Sequence, residues 1–156
     1  MANIPNKSDG QVLNAADLFK LVGTDLTLGT IDNSAVETNI GQAAMTASQV
    51  SQMVKVTAWV RFTVGTATDQ KTGTFKLYSG TNAAFGSNTE RASMVLSRTH
   101  TGAGTNFTQT EHATLSWVLT TEETWTNAIY IQITGQNSSA VSGDKCECIA
   151  LIVEGV

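Results

Sequence analysis

Charge is scarce in this chain: Asp, Glu, Lys and Arg make up 14% of its 156 residues, against about a quarter in an average globular protein. The 9 Lys+Arg and 13 Asp+Glu leave a net charge of -4. That balance supplies no strong cationic field to hold a phosphate backbone, so no nucleic-acid partner is expected. No apolar run approaches the roughly 20 residues a membrane-spanning helix needs, so no membrane partner is expected either. The opening MANIPNKSDG has neither the basic nor the apolar region of a signal peptide, which argues against export by that route.

Cysteine is equally sparse. Cys146 and Cys148 lie two apart in KCECIALIV, where strand geometry would point both thiols to one face and make a mutual disulfide awkward. Buried, reduced thiols are the expectation. A metal would need two further ligands, and His100 and His112 stand in no ligand-like spacing with the pair, so no metal and no other cofactor is expected. A chain of this length buries roughly 70% of the surface it exposes unfolded, enough for a core without either staple.

Hydroxyls and amides take the place of charge: 24 Thr, 12 Ser, 10 Asn and 8 Gln. Thr and Val are stiff at χ1 and suit a pleated, half-buried surface, which favours an all-β chain. Sequons at Asn6, Asn106 and Asn137 carry no weight, because so many Ser and Thr residues create as many by chance.

Residues 1–24 read differently from the rest and are expected to form an arm with a short helix. Asn14 is a good N-cap, Asp17 stands at N3, Gly23 can close the helix, and Leu13 with Leu18 has hydrophobic-staple spacing, which together predict a helix over 15–22. So short a helix needs Leu18, Leu21 and Val22 to pack on something. Residues 25–156 are expected to form one β-sandwich. Leu26, Leu28 and Ile31 suggest a short strand, and QAAMTASQVSQ (42–52) suits a strand or a helical turn.

After Gln52 the pattern is plain. Val54, Val56, Ala58, Val60, Phe62 and Val64 alternate with Lys55, Thr57, Trp59, Arg61 and Thr63, the signature of a long antiparallel strand with one face buried. Further strands are expected over 74–78, 92–98, 112–120, 128–134 and 146–153, separated by Gly/Asn/Thr-rich loops. The expected fold is an antiparallel β-sandwich with jelly-roll connectivity.

No catalytic constellation stands out. HExxH, GxSxG and Walker sequences are absent, and TGAGTNF joins two expected strands instead of a strand and a helix. Adjacent Glu122 and Glu123 would point to opposite faces of an extended chain. No enzyme is expected. Trp59 falls on the Lys55/Thr57/Arg61 face, with Tyr78 at a strand end and Trp125 in a loop. These three could stack on a glycan, fill a subunit interface or pack within the domain. Low charge makes a Thr/Ser/Asn/Gln surface cheaper to bury between subunits, which favours an assembly.

The segment Ser8-Asp9-Gly10-Gln11-Val12-Leu13-Asn14-Ala15-Ala16-Asp17-Leu18 resembles the Asp-Gly-x-x-Leu-x-Ala-x-Asp-Leu segment near the start of bacteriophage tail, fibre and other virion appendage proteins. Where an Asn commonly follows in that family, Phe19 stands here. The stretch from Ile129-Tyr130-Ile131-Gln132-Ile133-Thr134-Gly135 to Val153-Glu154-Gly155-Val156 is similar to the last two strands of phage jelly-roll knobs and capsid decoration proteins. The resemblance implies a virion structural protein that self-associates, commonly as a trimer, and attaches at one end to other virion proteins such as the major capsid protein. On that reading Val12, Leu13, Asp17, Leu18, Phe19 and Leu21 are the anchoring residues, and a glycan- or receptor-binding knob is the alternative role.

Overall fold

The computed structural model describes residues 20–25, 29–32, 34–45, 54–65, 70–99, 109–119, 129–140 and 143–155. These hold strands β1 (Lys20–Asp25), β2 (Thr30–Asp32), β3 (Thr38–Met45), β4 (Val54–Val64), β5 (Gln70–Gly80), β6 (Thr89–Thr99), β7 (Gln109–Leu119), β8 (Ile129–Asn137) and β9 (Lys145–Gly155). A single 3₁₀ turn, Phe85–Ser87, interrupts the strands among the described residues. No helix there is long and apolar enough to cross a membrane.

The strands form two antiparallel sheets. One runs β1-β9-β4-β7, with β2 also paired to β9, and the other runs β3-β8-β5-β6. Strands pair from the chain ends inward: β1 and β2 with β9, β3 with β8, β4 with β7, and β5 with β6. Successive pairs go to alternate sheets. The chain is thus one long antiparallel ribbon, its tip at the turn between β5 and β6, rolled so that β9 meets β4 and β8 meets β5. With β1 and β2 counted as one interrupted strand, this is the eight-stranded jelly roll that the composition and periodicity predict.

Strand β4 shows how the sequence sets the layers. Its six apolar alternates are all fully buried between the sheets, as a period of two requires. Phe75 and Leu77 of β5, Ile129, Ile131 and Ile133 of β8, and Leu151 and Val153 of β9 complete the core. Cys146 and Cys148 join it as buried thiols on one face, outside any disulfide. Burial pushes the Cys146 thiol up to about 12, and its Sγ donates to Asn137 Oδ1 at 3.1 Å. It is therefore a small hydrophobe with one polar tether, far from the thiolate needed for reactivity.

Two local readings change. Residues 20–22, the expected last turn of the helix over 15–22, are extended in β1, where Leu21 pairs with Glu154 and Lys20 with Gly155. A ladder of backbone bonds to β9 outweighs the weak intrinsic preference of a two-turn helix. The rest of that helix lies outside the described residues. The ambiguous stretch that begins at Gln42 is strand through Met45, held along β8 from Thr38↔Gly135 to Met45↔Ile129. Its Ala, Met and Gln residues suit a helix, but pairing and burial of Ile40, Ala43 and Met45 decide.

Candidate functional site

Because Ala58 and Val60 point into the core, Trp59 stands on the outer face of the β1-β9-β4-β7 sheet and is 49% exposed. Its cross-strand neighbours are Thr114 on β7 and Ala150 on β9. Two residues on, Arg61 lies opposite His112 and Glu147. Its Nε donates to Glu147 Oε2 at 2.6 Å and its Nη2 to Oε1 at 2.8 Å, the two-pronged geometry a guanidinium makes with a carboxylate. The Arg61 hydrogen bonds hold the Glu147 carboxyl below its ordinary range despite partial burial, helped by Lys145 and a hydrogen bond from Thr30. Both side chains are therefore fixed in place, with Arg61 the more exposed of the two.

Between Trp59↔Ala150 and Val60↔Cys148 the register shifts by one residue. Ile149 is the extra residue of this bulge and is 37% exposed. A bulge re-aims side chains locally: Cys148 and Leu151, three apart, both face the core, and Ile149 is left on the outer side with Trp59. The result is a shallow groove of about 550 Å³ lined by Trp59, Val60, Arg61, His112, Ala113, Thr114 and Ile149. It falls within the size range of small-molecule sites, and it has their usual mixture of apolar floor and a few polar groups.

The opposite outer face, on the β3-β8-β5-β6 sheet, is closed around Tyr78 and Gln132, while Val95 on the edge strand β6 is 60% exposed. Tyr78 is only 9% exposed, its ring 5.6 Å from that of Phe85. Its hydroxyl donates to Glu37 Oε1 at 2.8 Å. Glu37 also accepts from Thr134 Oγ1 at 2.7 Å and from Lys76 Nζ at 3.3 Å. Burial pushes the Glu37 carboxyl up, but the bonds from Thr134 and Tyr78 and the Lys76 ammonium outweigh it and hold the group below the ordinary carboxylate range. Beside this cluster, fully buried Gln132 donates to Gln42 Oε1 at 2.9 Å and to Ala83 O at 2.6 Å. It accepts from Asn88 Nδ2 at 2.7 Å. The segment between β5 and β6 is thereby bonded down over the sheet.

Of the three aromatics singled out from the sequence, Trp59 and Tyr78 stand on opposite outer faces and form no common platform. Trp125 lies outside the described residues, as do Val12, Leu13, Asp17, Leu18, Phe19, His100, Glu122 and Glu123. Leu21 lies in β1. No group of three or more His, Cys, Asp or Glu residues converges among the described residues. Sequence reasoning passed over Asp144, which is fully buried. Its Oδ1 accepts from the Gly65 backbone N–H at 3.0 Å, while Asn137 Nδ2 donates to its carbonyl at 3.1 Å. The preceding Gly143 has φ +89 and lies so close to Gly65 that a Cβ would come within 3.0 Å of its Cα, so this turn requires glycine. The Ser-Gly-Asp triplet before KCEC was the available signal.

No family model matches the chain, and no curated protein matches it. Among solved structures, the chain is similar to one in the crystal structure of the T13 IBDV viral particle, with a TM-score of 0.52 and 14% identity. That match covers 88% of this chain and 31% of the other. At this identity the likeness is one of fold, and the chain spans about a third of its neighbour's length.

Proposed function

We propose that the chain is a non-enzymatic structural protein of a bacteriophage virion, decorating or cementing the capsid or forming a small head or tail appendage. The observation that carries this reading is the likeness of fold, at a TM-score of 0.52 over 88% of the chain, to a chain of a viral particle. The appendage-like segment at 8–18 and the low charge agree with it. In this role the sandwich is a rigid block. Its two sheets share one core, and cross-sheet ties such as Arg98 Nε to Glu111 Oε2 at 2.8 Å hold its edge. Residues Val12, Leu13, Asp17, Leu18, Phe19 and Leu21 anchor it to neighbouring copies, in a trimer, and to other virion proteins such as the major capsid protein.

Quantitative mass spectrometry of gradient-purified particles tests the role. The chain should be present at a fixed copy number per particle, and a variant lacking residues 1–19 should fold but be missing from the particles. Abundance in infected cells with none in particles would refute the reading, and full incorporation of the truncated chain would refute anchoring by Val12, Leu13, Asp17, Leu18 and Phe19.

A further inference from the structure

We propose that the outer groove around Trp59 is a binding site for an uncharged saccharide. The inference goes beyond the virion reading and does not depend on it. Three observations meet in this one place. First, a half-exposed indole sits on an open sheet face with Ile149 beside it. The negative face of an aromatic ring attracts the weakly positive C–H groups that a pyranose ring presents, while burying apolar surface.

Second, the permanently charged groups nearest the indole, Arg61 and Glu147, are already paired, with the imidazole of His112 beside them on β7. Arg61 and Glu147 hold each other through two short bonds, and Glu147 is further held by Thr30. A free anion such as a phosphate would meet a guanidinium whose charge is compensated, and a free cation would meet a compensated carboxylate. A sugar hydroxyl both donates and accepts, and so fits a fixed donor set and a fixed acceptor set standing side by side. A guanidinium has five N–H donors, of which the ion pair uses two. The exposed hydroxyls of Thr114 and Ser116 continue the same chemistry along β7.

Third, the dimensions are small. A groove of about 550 Å³ matches a ligand of one or a few rings, whereas a stable protein partner would cover some 20–30 residues a side. The surrounding outer face mixes polar and apolar side chains: Lys55 stands between Glu154 and the 47% exposed Val118, and Lys145 pairs with Asp32 elsewhere on it.

The test is binding of the full chain to a glycan array carrying neutral hexoses, N-acetylhexosamines, deoxyhexoses, sialylated glycans and phosphorylated glycans. Hits are followed by saturation-transfer NMR with the free sugar. Binding of at least one uncharged class is expected, weakened roughly tenfold or more by Trp59→Ala, partly restored in Trp59→Phe, and unaffected by Trp117→Ala. Circular dichroism and the thermal midpoint establish that each variant is folded. The proposal is overturned by no uncharged glycan binding at millimolar concentration, by binding that survives Trp59→Ala, or by binding of acidic glycans alone that depends on Arg61 and not on Trp59. A change of solution mass in Trp59→Ala without any glycan binding would assign the face to a second copy of the chain and overturn it equally.

Discussion

The two outer faces of the sandwich use the same residue classes to opposite ends. On the β3-β8-β5-β6 sheet, hydroxyl, amide and charged side chains bond to one another, and the connection between β5 and β6 is tied down on top of them. At the centre of the β1-β9-β4-β7 sheet Arg61 pairs with Glu147, and an indole is left standing in solvent next to the pair. A buried polar group must be paired or it costs free energy, so the closed face is organised by satisfaction. The open face is under no such constraint. What it leaves unpaired remains available to something outside the chain.

This contrast orders the expected effects of mutation. The largest belongs to Gln132→Ala on the closed face: the side chain is fully buried with three hydrogen bonds, so its removal takes one bond each from Gln42, Asn88 and the Ala83 carbonyl and leaves a cavity in the network. A loss of about 2–3 kcal/mol in urea unfolding is expected. A loss below the measurement error would mean that the network is ornamental and the contrast between the faces is false.

Glu37→Gln comes next, at about 1–2 kcal/mol near neutral pH, since Tyr78, Thr134 and Lys76 all direct donors at the carboxylate. It has a pH signature as well. The folded-state pKa of Glu37 is held below the ordinary value, so its contribution is complete above the unfolded-state carboxylate pKa and is lost as pH falls through the folded-state one. The variant should therefore unfold with a flatter acid limb than the wild type. An unchanged acid limb would show that Glu37 is not held as described.

Smaller effects are expected on the open face. Arg61→Ala should cost no more than about 1 kcal/mol, and less in high salt, because the guanidinium is substantially exposed. Trp59→Ala should change stability by about 0.5 kcal/mol or less. If Trp59→Ala destabilised the isolated chain as much as Gln132→Ala, the indole would be serving the fold, and the open face would lose its separate meaning.

Much of this division could be read from the sequence, and the gaps have physical causes. Eleven residues of strict alternation placed β4 at its true bounds and put Trp59 and Arg61 on the face away from the core. The partner of Arg61 could not be read, since Glu147 is 86 residues away and becomes its neighbour only when β9 lies beside β4. The same is true of Tyr78, whose acceptor Glu37 is 41 residues distant. In β9 the run Ile149-Ala150-Leu151-Ile152-Val153 is apolar throughout, so periodicity cannot locate the bulge that leaves Ile149 outside. At 20–22 the last turn of the expected helix gives way to a sheet edge that forms only in the folded chain.

Self-association in a trimer is the central claim of the appendage account, and the solution mass of the purified chain tests it most directly. Light scattering on a size-exclusion column should give about three times the 16.5 kDa chain mass, unchanged on dilution through the micromolar range. A monomer at every concentration would contradict the trimeric appendage, leaving a cement protein that assembles only on its capsid or a free-standing binding module.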